Sequence, residues 1–138
     1  MREVFADTNY WVAISYPRDQ FHAAAHCAKE SLGEALLVTT DEVLVEFLNL
    51  MSKLTLRDRA APIVRAVFDD PDIVVLQQTR TGFLAGLELY ERRQDKEYSL
   101  TDCISMSAMD GRGIREVLTN DHHFQQEGYT VLIRRNNE

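Results

Sequence analysis

Glu3-Val4-Phe5-Ala6-Asp7-Thr8-Asn9 decides how this chain is read. A short apolar run ends on a carboxylate and gives way at once to an apolar helix start. In open α/β sheets, ligands collect just beyond the carboxyl ends of strands, so Asp7 stands where such a fold puts its chemistry. Working outward, four more runs read as strands: Leu36 to Thr39, Ile73 to Leu76, Glu116 to Leu118 and Thr130 to Ile133. Helical patterns long enough for crossover connections separate them, which predicts a parallel sheet with helices on both faces.

The helical period is clearest from Leu56 to Phe68. There Leu56, Ala60, Ile63, Val64, Val67 and Phe68 share one face, opposite Arg57, Asp58, Arg59 and Arg65. Pro62 interrupts this run and is expected to divide or kink it. From Asp41 to Lys53, an apolar stripe of Val43, Leu44, Phe47, Leu48 and Met51 leaves Glu42, Glu46, Asn49 and Lys53 on a polar face. A third helix, Thr81 to Arg93, is expected to bury Phe83, Leu84, Leu87 and Tyr90. A fourth opens near Ser99 or Thr101 and ends at the Gly111 to Gly113 turn.

Composition narrows the classes. The 138 residues suit one domain, and a net charge of −7 argues against broad electrostatic adhesion to nucleic acid, though not against a nucleic-acid substrate. Local basic groups would then dock it: Arg80, Arg92, Arg93 and Lys96 are the candidates. Cys27 and Cys103 form no CxxC pair, and Met1 to Ala6 does not read as a secretory signal, so a reducing cytoplasm is the expected location. No apolar stretch approaches the roughly 20 residues of a membrane span.

Four acids stand out together: Asp7, Glu46, Asp102 and Asp121, separated by 39, 56 and 19 residues. Gathered at one sheet edge they would repel one another, and a divalent cation is the natural compensation. Oxygen ligands without a Cys or His set point to magnesium or manganese rather than zinc. Each acid also has a plain structural reading. Asp7 suits an N-cap and Glu46 a solvated helix face. Asp102 suits a capping box with Ser99, and Asp121 a strand-end turn. Thr39 and Glu42 fit a capping box as well, which leaves Glu46 as the preferred ligand on that helix. His22 and His26 have metal-ligand spacing but no following Glu, so with Asp19 they read as helix capping and packing. His122 and His123 read as a solvated pair in a polar turn. Ser15, Ser99 and Ser105 lack a nucleophile-elbow context, which leaves covalent catalysis unsupported.

The set Asp7-Thr8-Asn9, Glu46, Ser99-Leu100-Thr101-Asp102 and Thr119-Asn120-Asp121-His122-His123-Phe124 resembles the PIN-domain family, in particular VapC-type ribonuclease toxins and their stand-alone relatives. The resemblance spans essentially the whole chain. It implies a three-layer α/β/α sandwich on a five-stranded parallel sheet, with Asp7, Glu46, Asp102 and Asp121 as a catalytic metal site for Mg2+ or Mn2+. It further implies cleavage of RNA to 5′-phosphate and 3′-hydroxyl ends, a homodimer and a small antitoxin partner. Thr8 and Asn120 match positions near the metal and enter as secondary candidates, whereas Asp95, before the Asp102 helix, fits a loop role equally well.

Two other classes remain beside that expectation. A non-catalytic RNA-binding or regulatory module would keep the scaffold and lose cleavage. A phosphoacceptor receiver domain shares the size, but it needs a lysine after its last strand, where this chain has Arg134 and Arg135.

Overall fold

The computed structural model describes residues 1–134, and Arg135 lies outside them. The elements run β1 (Glu3–Ala6), α1 (Thr8–Ser15), α2 (His22–Ser31), β2 (Leu36–Thr40), α3 (Asp41–Lys53) and α4 (Arg57–Asp69). They continue as β3 (Ile73–Leu76), α5 (Arg80–Arg92), α6 (Leu100–Arg112), β4 (Glu116–Leu118), α7 (His122–Gln126) and β5 (Thr130–Val131). The five strands form one parallel sheet in the order β3-β2-β1-β4-β5. Helices on both faces make the three-layer sandwich expected from the sequence.

β1 lies at the centre of the sheet, flanked by β2 and β4. Val4, Phe5 and Ala6 are fully buried, with Phe5 in register with Val38 of β2 on one side and Val117 of β4 on the other. A strand covered on both faces needs no polar alternation, so its pattern is a continuous run. Its neighbour β2 ends on Thr40, where the chain turns directly into α3. β1 and β4 therefore end side by side, and Asp7 N–H donates to Leu118 O at 3.3 Å across them. The carboxyl ends of these strands form the edge on which the acids gather.

Helix faces follow the predicted stripes with instructive exceptions. In α3, Val43, Leu44, Phe47 and Met51 are buried as expected. α4 runs unbroken through Pro62, which lies on an exposed face, so water can serve the carbonyl that loses its partner. Phe68, Leu84 and Tyr90, all expected inside, are more than half or half exposed at 59%, 51% and 50%. The buried face of α5 is turned instead onto Gly86 and Leu89.

Gly86 explains that rotation. A Cβ there would collide with Ile104 of α6, whose backbone N and Cα would lie 3.0 Å away, so the two helices approach as closely as they do only at glycine. This contact positions α6, which carries Asp102. Replacing Gly86 with Ala should therefore destabilise the fold by about 1–3 kcal/mol of overpacking, partly offset by roughly 1 kcal/mol of better helix propensity. Differential scanning calorimetry should record a Tm several degrees lower, and an unchanged Tm would show that the helices can separate freely.

Candidate functional site: an acidic centre at the carboxyl edge of the sheet

Asp7 occupies the N-cap position of α1, yet its side chain makes no capping hydrogen bond to the helix end. Its backbone carbonyl takes that role, accepting from Tyr10 N–H at 3.1 Å. The residue is only 4% exposed, and its carboxylate accepts a hydrogen bond from Thr119 Oγ1 at 3.0 Å through Oδ2. Oδ1 is shielded from solvent and has no hydrogen-bond partner among the described residues. Such an arrangement penalises ionisation. Burial, the charge of Asp102 and, more weakly, that of Glu46 push the Asp7 carboxyl up to about 7, against the pull of the Thr8 backbone N–H and the Thr119 hydroxyl.

Asp102 sits in the first turn of α6. Ser99 Oγ accepts from Asp102 N–H at 3.0 Å while Asp102 Oδ2 accepts from Ser99 N–H at 3.1 Å, a complete capping box. The structural role foreseen for Asp102 is thus real. Asp102 is buried at 8% exposure, and burial raises its pKa. The Ser99 hydrogen bond opposes this rise, the charges of Asp121 and Glu46 add to it, and His123 lowers it. Asp7 and Asp102 thus each interact electrostatically with Glu46 on α3. Four acids from four separate elements share one field.

Asp121 follows β4 and caps α7, accepting from His123 N–H at 2.9 Å. Its own N–H donates to Thr119 Oγ1 at 3.1 Å, the same hydroxyl that donates to Asp7. Thr119, fully buried, therefore fixes the two strand-end acids relative to each other. Nothing in the sequence marked Thr119 beyond its place before Asn120-Asp121. Its partner Asp7 is 112 residues away, and no local pattern carries that pairing.

The histidines are the larger surprise. His123, read from the sequence as a solvated turn residue, has a side chain only 18% exposed, with Nδ1 3.2 Å from Asp121 Oδ1 and 3.5 Å from Asp102 Oδ2. The ring also packs against Tyr98 at 5.5 Å between centroids, and Tyr98 Oη donates to Glu127. A five-residue helix, α7, was invisible to periodicity because it is little longer than one turn, and it is what turns His123 inward.

Of the secondary candidates, Thr8 is buried beside Asp7 with its hydroxyl lacking a partner among the described residues, whereas the Asn120 amide is engaged with Ile133 O at 2.8 Å. Asp95 is exposed and lies 3.5 Å from Lys96. The expected capping box of Thr39 and Glu42 is not formed. β2 extends one residue further, Thr40 caps α3 through Val43 N–H at 3.1 Å, and Thr39 Oγ1 instead donates to Ala6 O at 2.9 Å between strands. Among the docking cations, Arg93 is held by Glu127 in a bidentate pair at 2.9 and 3.0 Å, while Arg80 and Arg92 are exposed. Beside Glu46 lies an open cleft of about 300 Å³ lined by Glu42, Val45, Asn49, Gln78 and Thr101.

A buried strand-end aspartate electrostatically tied to Asp102 and Glu46, on a β3-β2-β1-β4-β5 sheet, is accompanied by a sequence match. The family model described as PIN domain matches residues 4–127. The chain belongs to the PIN-domain family. Among its relatives is the 23S rRNA-specific endonuclease VapC20 of Mycobacterium tuberculosis, found in two strains. It is 26% identical over 129 residues, covering 94% of this chain and 97% of the relative. A crystal structure of M. tuberculosis VapC20, described as a sarcin-ricin loop cleaving toxin, superposes with a TM-score of 0.85 at 24% identity. It spans 92% of this chain and 96% of that one, a likeness that supports the PIN fold.

Proposed function

We propose that this PIN-domain protein is a metal-dependent endoribonuclease, the toxin of a type II toxin–antitoxin pair. Asp7, Glu46, Asp102 and Asp121 hold its divalent ion. One observation carries the reading: Asp7 is almost fully buried, has a carboxylate oxygen without a partner among the described residues, and feels the charges of Asp102 and Glu46. A site so arranged is unfavourable by itself, and a cation relieves it. The all-oxygen donor set of the four acids fits Mg2+ or Mn2+. When bound, such an ion activates water and neutralises charge on the scissile phosphate.

The chain's own residues supply the rest. Thr119 orients Asp7 and the Asp121 loop, and the Ser99 capping box fixes Asp102 at the start of α6. The cleft beside Glu46 gives a nucleotide next to the scissile bond a place to lie, with the Asn49 and Gln78 amides available as hydrogen-bond partners. Exposed Arg80 and Arg92 attract the phosphate backbone of RNA against a net charge of −7. The ribosomal substrate of the VapC20 relatives makes structured ribosomal RNA the first class to try. The proposed antitoxin and homodimer contacts draw on exposed apolar side chains such as Val45, Leu54, Phe68 and Leu84.

The test is cleavage of end-labelled ribosomal RNA by the full chain with Mg2+, with Mn2+ and with a chelator. Discrete fragments bearing 5′-phosphates in the metal lanes alone are expected. RNA that is bound but left intact with either metal would favour a non-catalytic RNA-binding module.

A further inference from the structure

The four histidines of the chain fall into two pairs, and the pairs differ. His22 and His26 stack on α2 at 4.7 Å, but His22 Nδ1 is engaged with Ala13 O at 2.7 Å. His122 and His123 instead bracket a carboxylate. Their Nδ1 atoms lie 3.8 and 3.2 Å from the same oxygen, Asp121 Oδ1, and the three residues offer ligand atoms all within 4.8 Å of one another. His123 Nδ1 is shielded from solvent and makes no hydrogen bond of proper geometry among the described residues, although two carboxylates lie nearby.

Those separations match a definite coordination chemistry. A tetrahedral ion with bonds of about 2.0–2.1 Å holds its ligand atoms about 3.3–3.4 Å apart, and the two N···O distances bracket that span. Two imidazoles and one carboxylate are also the ligand set of a site that keeps a fourth position open. Magnesium has little use for imidazole, whereas zinc, cobalt and similar borderline ions favour it.

We propose that Asp121, His122 and His123 form a second metal site at the rim of the acidic centre, selective for a zinc-like divalent ion. The site needs neither RNA nor magnesium, so it stands apart from the nuclease reading. If that reading also holds, a zinc-like ion seated here draws Asp121 away from the acidic quartet, and Zn2+ inhibits Mg2+-driven cleavage.

The experiment uses the full chain stripped by chelator and titrated with Co2+ followed by visible absorption, then with Zn2+ by isothermal titration calorimetry. Wild type should show the intense bands of one tetrahedral Co2+, and Zn2+ should displace that ion. Both His122→Ala and His123→Ala should weaken Zn2+ binding by more than the roughly 10–100-fold that loss of an outer-shell partner costs. Asp7→Asn and the double variant His22→Ala/His26→Ala should bind Zn2+ as wild type does. Should His123→Ala fail to fold, His122→Ala still decides the matter, because that side chain is 70% exposed. Undiminished Zn2+ affinity in His122→Ala, a Co2+ spectrum without tetrahedral bands, or loss of those bands in Asp7→Asn or His22→Ala/His26→Ala would each overturn the site.

Discussion

Replacing Asp7 with Asn should abolish metal-dependent RNA cleavage and, in the same protein, raise the stability of the metal-free fold. The two effects share one cause. Asn has the shape of Asp but no charge, so it cannot hold a hard cation as a carboxylate does. Removing one key electrostatic group from an active site typically costs about 10²–10³-fold in kcat, and loss of the ion itself should cost at least that. Meanwhile the fold loses a burden. Ionising a buried carboxyl whose pKa has risen from 3.8 to about 7 opposes folding by up to about 4 kcal/mol at alkaline pH, and Asn never ionises. The hydrogen bonds to the side chain can survive, because the Thr119 hydroxyl both donates and accepts. Cleavage assays paired with thermal denaturation in chelator separate the possibilities. Wild-type cleavage by the variant would remove Asp7 from the chemistry, while a lowered Tm would mean that its loss acts through folding.

The second large effect is a pH dependence of opposite sense to ordinary acid denaturation. The folded Asp7 carboxyl keeps its proton to a higher pH than the unfolded one, so between the two pKa values the native state binds more protons. Its favourable contribution is fully present below about pH 4 and lost as pH rises through about 7. Asp102, also raised by burial, acts in the same direction. Glu116 and Glu127, whose carboxyls Arg2 and Arg93 hold below the ordinary range, act with the other sign and at lower pH, so they leave this window alone.

Metal-free protein unfolded by urea at pH 5, 6, 7 and 8 should therefore lose about 2–3 kcal/mol across the series through Asp7. Mn2+ at saturating concentration should reverse the loss at pH 8, because a ligand that binds only the folded state stabilises it. Asp7→Asn should flatten most of the profile. A flat profile in the wild type would show that Asp7 ionises without penalty, and the central argument for a cation would go with it.

Much of this was legible in the sequence, for a physical reason. Strands and long helices are written in local periodicity, so the run Val4-Phe5-Ala6 marked the central strand, and the stripe Val43, Leu44, Phe47, Met51 marked the buried face of α3. Asp7 and Asp121 were visible because each follows such a run. Where a helix turns its face is less local. Phe68, Leu84 and Tyr90 fit an apolar period but lie at the surface, since in α5 the close approach of Gly86 to Ile104 sets the rotation. Thr39 and Thr40 show the same limit at one residue's resolution. Either could cap α3, and the length of β2 decided which did.

The sequence by itself thus determined the sheet and its strand ends, and it singled out the four acids, because apolar period and strand-end position are properties of neighbouring residues. Only the tertiary structure decided how those acids are held. The Thr119 hydroxyl joins Asp7 to the Asp121 loop across 112 residues, Gly86 sets α6 against α5, and α7 turns His123 toward Asp102 and Asp121. Each of these depends on a distance between groups far apart along the chain, and such distances exist only once the chain has packed.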